Sequence, residues 1–396
     1  MKNWPGKFAR ACGITSLLAC AAAAAQPAAA KHPAIALADP SDAEQWQILV
    51  KALDWLVIAP PMDAKAGIDA RVQALSAAVA EAIQKSDADP ARIYLAGRGD
   101  YAALVFYAIA RTPDLWAAGI ALGGSPVPAI DTNRIFAANF SNAPVLWVSA
   151  APEAEAFAGK LKAAGLNVEW RSATGLTNGA VLDWINQHAR DEFPASIDCE
   201  TDSPSAGRCY WIQMTRFDAA ERNDVLPSTR LAGASGAFLD VGDFTYKLTD
   251  PGPGVLVASL PAKYSGPLKT GDRIVELDGR PIENARQFAE TMGKKTREDR
   301  AVIMVQRGKE RMRVETRIVV PHRDANVTAR VQAKYVAEDN HIEIVSRTVT
   351  EMRVTIPQQW VPVSLYWNGL SLEDIAKPGC ILLSIDKEIL HSAACP

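Results

Sequence analysis

The side chains best suited to redox, metal or nucleophilic chemistry are few in this chain of 396 residues: six cysteines and five histidines. Cys12 and Cys20 fall in an N-terminal stretch where Lys2, Lys7 and Arg10 precede an apolar run from Ile14 to Ala25, with small residues continuing to Ala30. A charged head, an apolar middle and a small-residue end form the pattern of a secretory signal peptide. The run is too short for a transmembrane helix, and cleavage is expected after Ala25 or Ala30. Export leaves Cys199, Cys209, Cys380 and Cys395, an even number in an oxidising compartment, which favours disulfides. Of the three pairings, closeness in sequence favours Cys199–Cys209 and Cys380–Cys395. The spacings are not the short paired ones of a zinc site, so neither metal nor cofactor is expected. His32, His188, His322, His341 and His391 are scattered and form no cluster.

Such groups act only where elements position them. Residues 32 to 193 alternate apolar runs with helical patterns. Leu56-Val57-Ile58-Ala59 reads as a buried strand, and Ile68, Val72, Leu75, Val79 and Ile83 then mark one face of a helix. Strands follow at 93–96, 120–122, 145–148 and 168–170, with helices around 104–109, 155–164 and 179–190. That alternation, with short connections, predicts a parallel sheet covered on both faces. From Ile197 onward the pattern is β: strands at 209–214, 329–335, 341–346, 352–356 and 363–367, separated by turns such as Asp339-Asn340 and Asn368-Gly369, predict a small sandwich. Net charge falls from −3 to −6 when Lys2, Lys7 and Arg10 leave with the signal. A mildly acidic chain without a basic block argues against nucleic-acid binding.

The segment from Arg92 to Ala103, through Gly97-Arg98-Gly99-Asp100-Tyr101, resembles the strand, elbow and helix of secreted α/β-hydrolase esterases, where Gly-x-Ser-x-Gly carries a nucleophilic serine on a strained turn. Here Gly99 stands at the serine position and Tyr101 at the second glycine. The resemblance runs on through Asp114-Leu115-Trp116-Ala117-Ala118 and Gly123-Gly124. It implies that Glu153, after the strand Val145 to Ser149, stands where the family's acid sits. Asn178, in Thr174-Gly175-Leu176-Thr177-Asn178-Gly179, stands in place of its histidine, and Ala38-Asp39 replaces the His-Gly beside the oxyanion hole. Glycine offers no attacking oxygen, and asparagine cannot take and return a proton near neutral pH. The triad is therefore read as degenerate, with Asp100 as the alternative nucleophile.

The stretch from Gly254 to Ile282, with Leu268-Lys269-Thr270-Gly271-Asp272 and Asp278-Gly279 at its turns, resembles a bacterial PDZ domain. A helix from Asn284 to Met292 and a strand pair, 302–306 and 312–319, complete it. PDZ domains add an extended peptide as a strand, usually holding its C-terminal carboxylate in a loop of backbone amides. The resemblance puts that site at Gly236, Ala237, Phe238 and Leu239, with Phe288 and Met292 on the facing helix. The flanking β segments resemble the small domain after the catalytic core of some secreted bacterial esterases, so that the PDZ unit reads as inserted into it.

The expected architecture is α/β plus β, with a signal at 1–30, a hydrolase-like parallel-sheet domain at 31–194, a discontinuous β-sandwich at 195–233 and 322–396, and a PDZ domain at 234–321. The expected function is binding or scaffolding in the periplasm or outside the cell, with a peptide or protein C-terminus as partner. An active esterase or peptidase working through Asp100 and Glu153, or an adaptor of a periplasmic protease, are the competing readings. Leu17-Leu18-Ala19-Cys20 also resembles the lipobox of bacterial lipoproteins, and lipidation at Cys20 would be the one route to a membrane.

Overall fold

A computed structural model describes residues 31–396 except 64, 222–224, 232–236, 242–243, 261–263, 296 and 321–326. The expected signal with Cys12 and Cys20, Gly236 of the expected peptide loop, and His322 lie outside the described residues.

The first unit is a six-stranded sheet of β1 (His32–Leu37), β2 (Leu56–Ile58), β3 (Ala88–Arg98), β4 (Ala118–Leu122), β5 (Val145–Ser149) and β6 (Val168–Ser172), in the order β2-β1-β3-β4-β5-β6. Every pairing is parallel. The helices are α1 (Ala43–Val50), α2 (Ile68–Lys85), α3 (Ala102–Arg111), α4 (Val127–Ile130), α5 (Ala154–Ala163) and α6 (Asn178–Ile185). Alternate strand residues feed two cores, because successive side chains leave opposite faces. Ile93, Leu95 and Val145 pack under α2, α3 and α5, while Ile35, Tyr94 and Leu146 pack with Trp46 of α1 and Trp184 of α6. The last helix stops at Ile185 rather than reaching Arg190. The chain there turns back to the sheet, Arg190 giving its N–H to Ala91 O (2.7 Å) and its Nε–H to Pro90 O (3.1 Å).

The second unit is split in sequence. It opens with β7 (Ser196–Thr201), β8 (Arg208–Cys209) and β9 (Ile212–Phe217). The single strand expected over 209–214 is two, because Tyr210 sits at φ +52° and turns the chain into a hairpin. The inserted PDZ-like unit comes next: β10 (Phe238–Leu239), β11 (Val255–Leu256), β12 (Arg273–Leu277), β13 (Arg280–Pro281), α7 (Ala285–Gly293), β14 (Asp299–Arg307) and β15 (Glu310–Val319), with main sheet order β10-β15-β14-β12-β11. The chain then resumes with β16 (Ala329–Val336), β17 (His341–Arg347), β18 (Val349–Ile356), β19 (Val363–Trp367), β20 (Leu370–Ile375), β21 (Gly379–Asp386) and β22 (Ile389–Ala394). Two five-stranded sheets result, β20-β19-β17-β16-β7 and β22-β21-β18-β9-β8. Val331, Ile342 and Ile344 of one face Met352, Val354 and Ile356 of the other, with Trp211, Trp360 and Trp367 filling the space between. The last three strands went unread in the sequence because they are largely solvated and their apolar alternation is weak.

Both cysteine pairs are joined. Cys199–Cys209 (Cα–Cα 6.1 Å) links β7 of one sheet to β8 of the other, and Cys380–Cys395 (5.5 Å) closes the last hairpin.

The first unit and the two segments that lead to and from the PDZ-like unit meet at Glu200 on β7, which is 1% exposed. Its carboxylate accepts from Ser228 Oγ (2.5 Å), Thr229 N (2.6 Å), Thr229 Oγ1 (2.8 Å) and Thr328 Oγ1. Ser228 and Thr229 lie on the chain leaving for the PDZ-like unit, and Thr328 lies on the chain coming back. Its backbone N–H donates to Asn139 Oδ1 of the first unit, and Asn139 Nδ2 returns a bond to Glu200 O. The outgoing segment also runs along the first unit, with Ala137 N–H donating to Thr229 O and Leu231 N–H to Ile135 O.

Candidate functional site

The turn after β3 closes through glycines. Gly99 holds φ +56°, a conformation that L side chains rarely adopt. At Gly97 a Cβ would stand 2.5 Å from Tyr101 O, and at Gly124 only 1.9 Å from Gly99 O. Those two positions therefore exclude any side chain, and their absence of one lets the strand-to-helix turn form. Gly99 is different: a Cβ there would meet nothing within 4 Å. The elbow keeps its strained backbone and the open space above it, and it lacks only the side chain.

That space is a cavity of about 430 Å³. Its floor is the C-terminal ends of β3, β4 and β5, represented by Arg98, Leu122 and Val148, and its walls include Trp46 and Leu49 of α1 and Val181 of α6. Gly99 and Asn178 both line it, so the tertiary structure brings together two of the three positions that the sequence resemblance assigned to a triad and that lie far apart in sequence. Asn178 opens α6 just after Thr177, whose side chain caps the helix by accepting from Ala180 N (3.2 Å). Glu153 does not line the cavity. It is exposed at the start of α5 and makes no capping bond there. Asp100, the alternative nucleophile, is also exposed and outside the lining. Asp39 is engaged in a local turn, accepting from Ser41 N (3.0 Å). His188 lies beyond α6 with its ring 4.3 Å from Trp184, and burial pushes its imidazole below the usual histidine range.

The residue that sequence reasoning passed over is Arg98. It is the one formally charged side chain in the cavity lining. Its Nε stands 3.6 Å from Asp42 Oδ2 and its Nη2 3.4 Å from Gln45 Oε1. The available signal was a charged residue ending a buried strand immediately before the elbow glycine.

The second site candidate is the edge of β10. That strand pairs with β15 alone, and Asp240 N–H donates to Arg317 O (2.8 Å). Backbone groups alternate in direction along a strand, so those of Leu239 face away from β15, and its carbonyl there accepts from Val241 N–H (2.8 Å). Phe238 is 46% exposed on this edge strand, whereas Ala237 and Leu239 point into the apolar core. Phe288 (4% exposed) and Met292 (3%) of α7 belong to that same core, with the ring of Tyr246 packed edge-on against Phe288. Both are core residues rather than exposed ones.

Residues 242–318 match the family described as PDZ domain. The inserted unit carries a PDZ domain. Among solved structures, a thermostable esterase is 16% identical over 41% of this chain, which spans 56% of that esterase, with a TM-score of 0.29. Arabidopsis thaliana SOBER1 is 15% identical over 40% of this chain and 99% of its own, with a TM-score of 0.30. An HtrA-type protease with decapeptide is 18% identical over 23% of this chain and 31% of its own, at 0.18. No curated protein matches the sequence. Among the described residues, no group of three or more His, Cys, Asp or Glu is placed to hold a metal ion, and no helix is long and apolar enough to cross a membrane.

Proposed function

We propose that this chain is an exported binding or scaffold protein whose PDZ domain takes the C-terminus of a peptide or protein, while its hydrolase-like core has given up catalysis. The observation that carries this reading is the occupancy of one cavity by Gly99 and Asn178. An elbow shaped to present a nucleophile presents none, and the residue facing it is no base. Acyl transfer needs both groups within hydrogen-bond reach of each other. Asp100 and Glu153, which an active hydrolase would have to recruit, both lie outside the cavity lining. The outer edge of β10 supports strand addition by a peptide, whose N–H would take the place of Val241 N–H on Leu239 O. The division at 31–194, 195–233 with 322–396, and 234–321 belongs to the same proposal, as do the signal at 1–30 and residence in the periplasm or outside the cell.

The test uses the full mature chain and a labelled panel of peptides with hydrophobic last residues. Binding is expected, and amidating the terminal carboxylate should weaken it about tenfold, because backbone amides lose a charged acceptor. Equal affinity for acid and amide forms would refute the C-terminal mode. In parallel, activated esters should not be turned over by the wild type or by Gly99→Ser. Wild-type turnover that disappears with Asp100→Ala would replace the binding reading with the hydrolase one. Adding Asn178→His to Gly99→Ser restores a nucleophile and a base without an acid in the cavity, so any esterase activity gained should be weak.

A further inference from the structure

We propose that the cavity beside Gly99 is a binding site for a small monocarboxylate with an apolar body, such as a medium-chain fatty acid, its carboxylate held by Arg98. The inference rests on the reading of the core as non-catalytic and goes beyond it by assigning the site a ligand class.

Three observations carry it. The first is position. The strand order reverses at β1, which lies between β2 and β3, and the cavity opens at the C-terminal ends of β3, β4 and β5. In open parallel sheets, ligands enter the crevice at that end, near the reversal. The second is lining. Trp46, Leu49, Leu122, Val148, Leu176 and Val181 supply apolar walls, and about 430 Å³ lies within the range of small-molecule sites. The third is charge. Among the described residues of the lining Arg98 is the single charged one, and the acid paired with it, Asp42, stands outside that lining.

Arg98 is also available. Its contacts with Asp42 and Gln45 are 3.6 and 3.4 Å, long for hydrogen bonds, and they reach only Nε and Nη2. A guanidinium has five N–H donors in a planar fork that matches a carboxylate in two parallel bonds. At 45% side-chain exposure it stands where the cavity meets solvent, so a carboxylate can pair with it without full dehydration while the acyl chain enters the apolar interior. An amine would meet a like charge there, and an alcohol would satisfy the fork poorly.

The test is calorimetric titration of the mature full-length protein with octanoate, methyl octanoate and octylamine. Octanoate should bind with a dissociation constant below about 1 mM, methyl octanoate about tenfold more weakly, and octylamine not at all. Arg98→Gln should remove the preference for octanoate over its methyl ester and leave ester binding in place. Val181→Trp, which fills the cavity, should abolish both. Unchanged thermal unfolding of each variant shows that it has folded. Absence of octanoate binding, or equal octanoate affinity in wild type and Arg98→Gln, overturns the proposal. Conversion of methyl octanoate to octanoate would instead overturn the non-catalytic reading, which separates the two failures.

Discussion

Glu200 and Arg98 both sit on strands of this chain, one near the end of β7 and one at the end of β3, and they stand in opposite circumstances. Glu200 is enclosed and accepts four hydrogen bonds from Ser228, Thr229 and Thr328, while its backbone exchanges two more with Asn139. Arg98 is half-exposed, makes only long contacts, and borders a largely apolar cavity. The first carboxylate has no capacity left for a ligand, and its work is to fasten the two ends of the PDZ insertion to the sandwich and the core. The second charge has unused donors and room beside them. Residue type alone would have ranked a buried glutamate as the better catalytic candidate. Counting satisfied and unsatisfied hydrogen-bonding capacity reverses that ranking, because a polar group acts on a ligand only with bonds the protein has not already taken.

The comparison breaks most readily at Glu200. Glu200→Ala takes the acceptor from four donors, of which Thr328 Oγ1 is buried, so it should destabilise the protein by about 3–5 kcal/mol in urea unfolding, given that each bond to a charged acceptor is worth roughly 1.5–3 kcal/mol and such losses do not add fully. Proteolysis within the segment around Ser228 should accelerate at the same time. A loss below about 1 kcal/mol would mean that the junction is not the fastening described.

At the elbow, two glycines whose backbones lie side by side should answer differently. Gly124→Ala pushes a Cβ into Gly99 O at φ +60° and should cost about 2–4 kcal/mol. Gly99→Ala enters open space and pays only the backbone conformation, about 1–2 kcal/mol. Equal costs in thermal unfolding would show that the elbow is not closed by the Gly124 contact.

The smallest effect concerns pH and the PDZ domain. Arg307 grips Asp272 in a fork (Nε–Oδ1 2.8 Å, Nη2–Oδ2 2.7 Å), which holds that carboxyl below the usual carboxylate range. A depressed folded value means the contribution is complete above the unfolded value near 4 and is lost as pH falls through the folded one. Amide exchange in β12 and β14 should therefore quicken on acidification below about pH 4. Asp272→Asn should be less protected at pH 7 and show a flatter response to acid; an unchanged acid response would detach this pair from the domain's stability.

The amount legible from sequence differed by region for identifiable reasons. The parallel sheet was readable because strands buried on both faces are continuous apolar runs, as in Ile93-Tyr94-Leu95-Ala96, and because α2 repeats its apolar residues every three or four positions. The turns at Asn340 and Asn368-Gly369 were readable because their left-handed backbones, at φ +51°, +49° and +86°, demand those residue types. The hairpin at Tyr210 was hidden, since tyrosine carries no turn signal, and the solvated strands β20 to β22 lacked the alternation that marks a half-buried strand.

That Gly99 offers no attacking oxygen and Asn178 no imidazole was decided by the sequence alone, because no fold can supply a group that the chain does not encode. The two disulfide pairings were likewise favoured by short separations, whose closure costs little chain entropy. Only the tertiary structure could decide that Gly99 and Asn178 share one cavity with Arg98 while Glu153 and Asp100 lie outside it, and that Ser228, Thr229 and Thr328 converge on Glu200. Those facts depend on contacts between residues as much as 128 positions apart, and local propensity and spacing carry no information over such distances. Whether a charge is spent on the fold or left for a ligand is set by which distant donors and acceptors packing brings within reach.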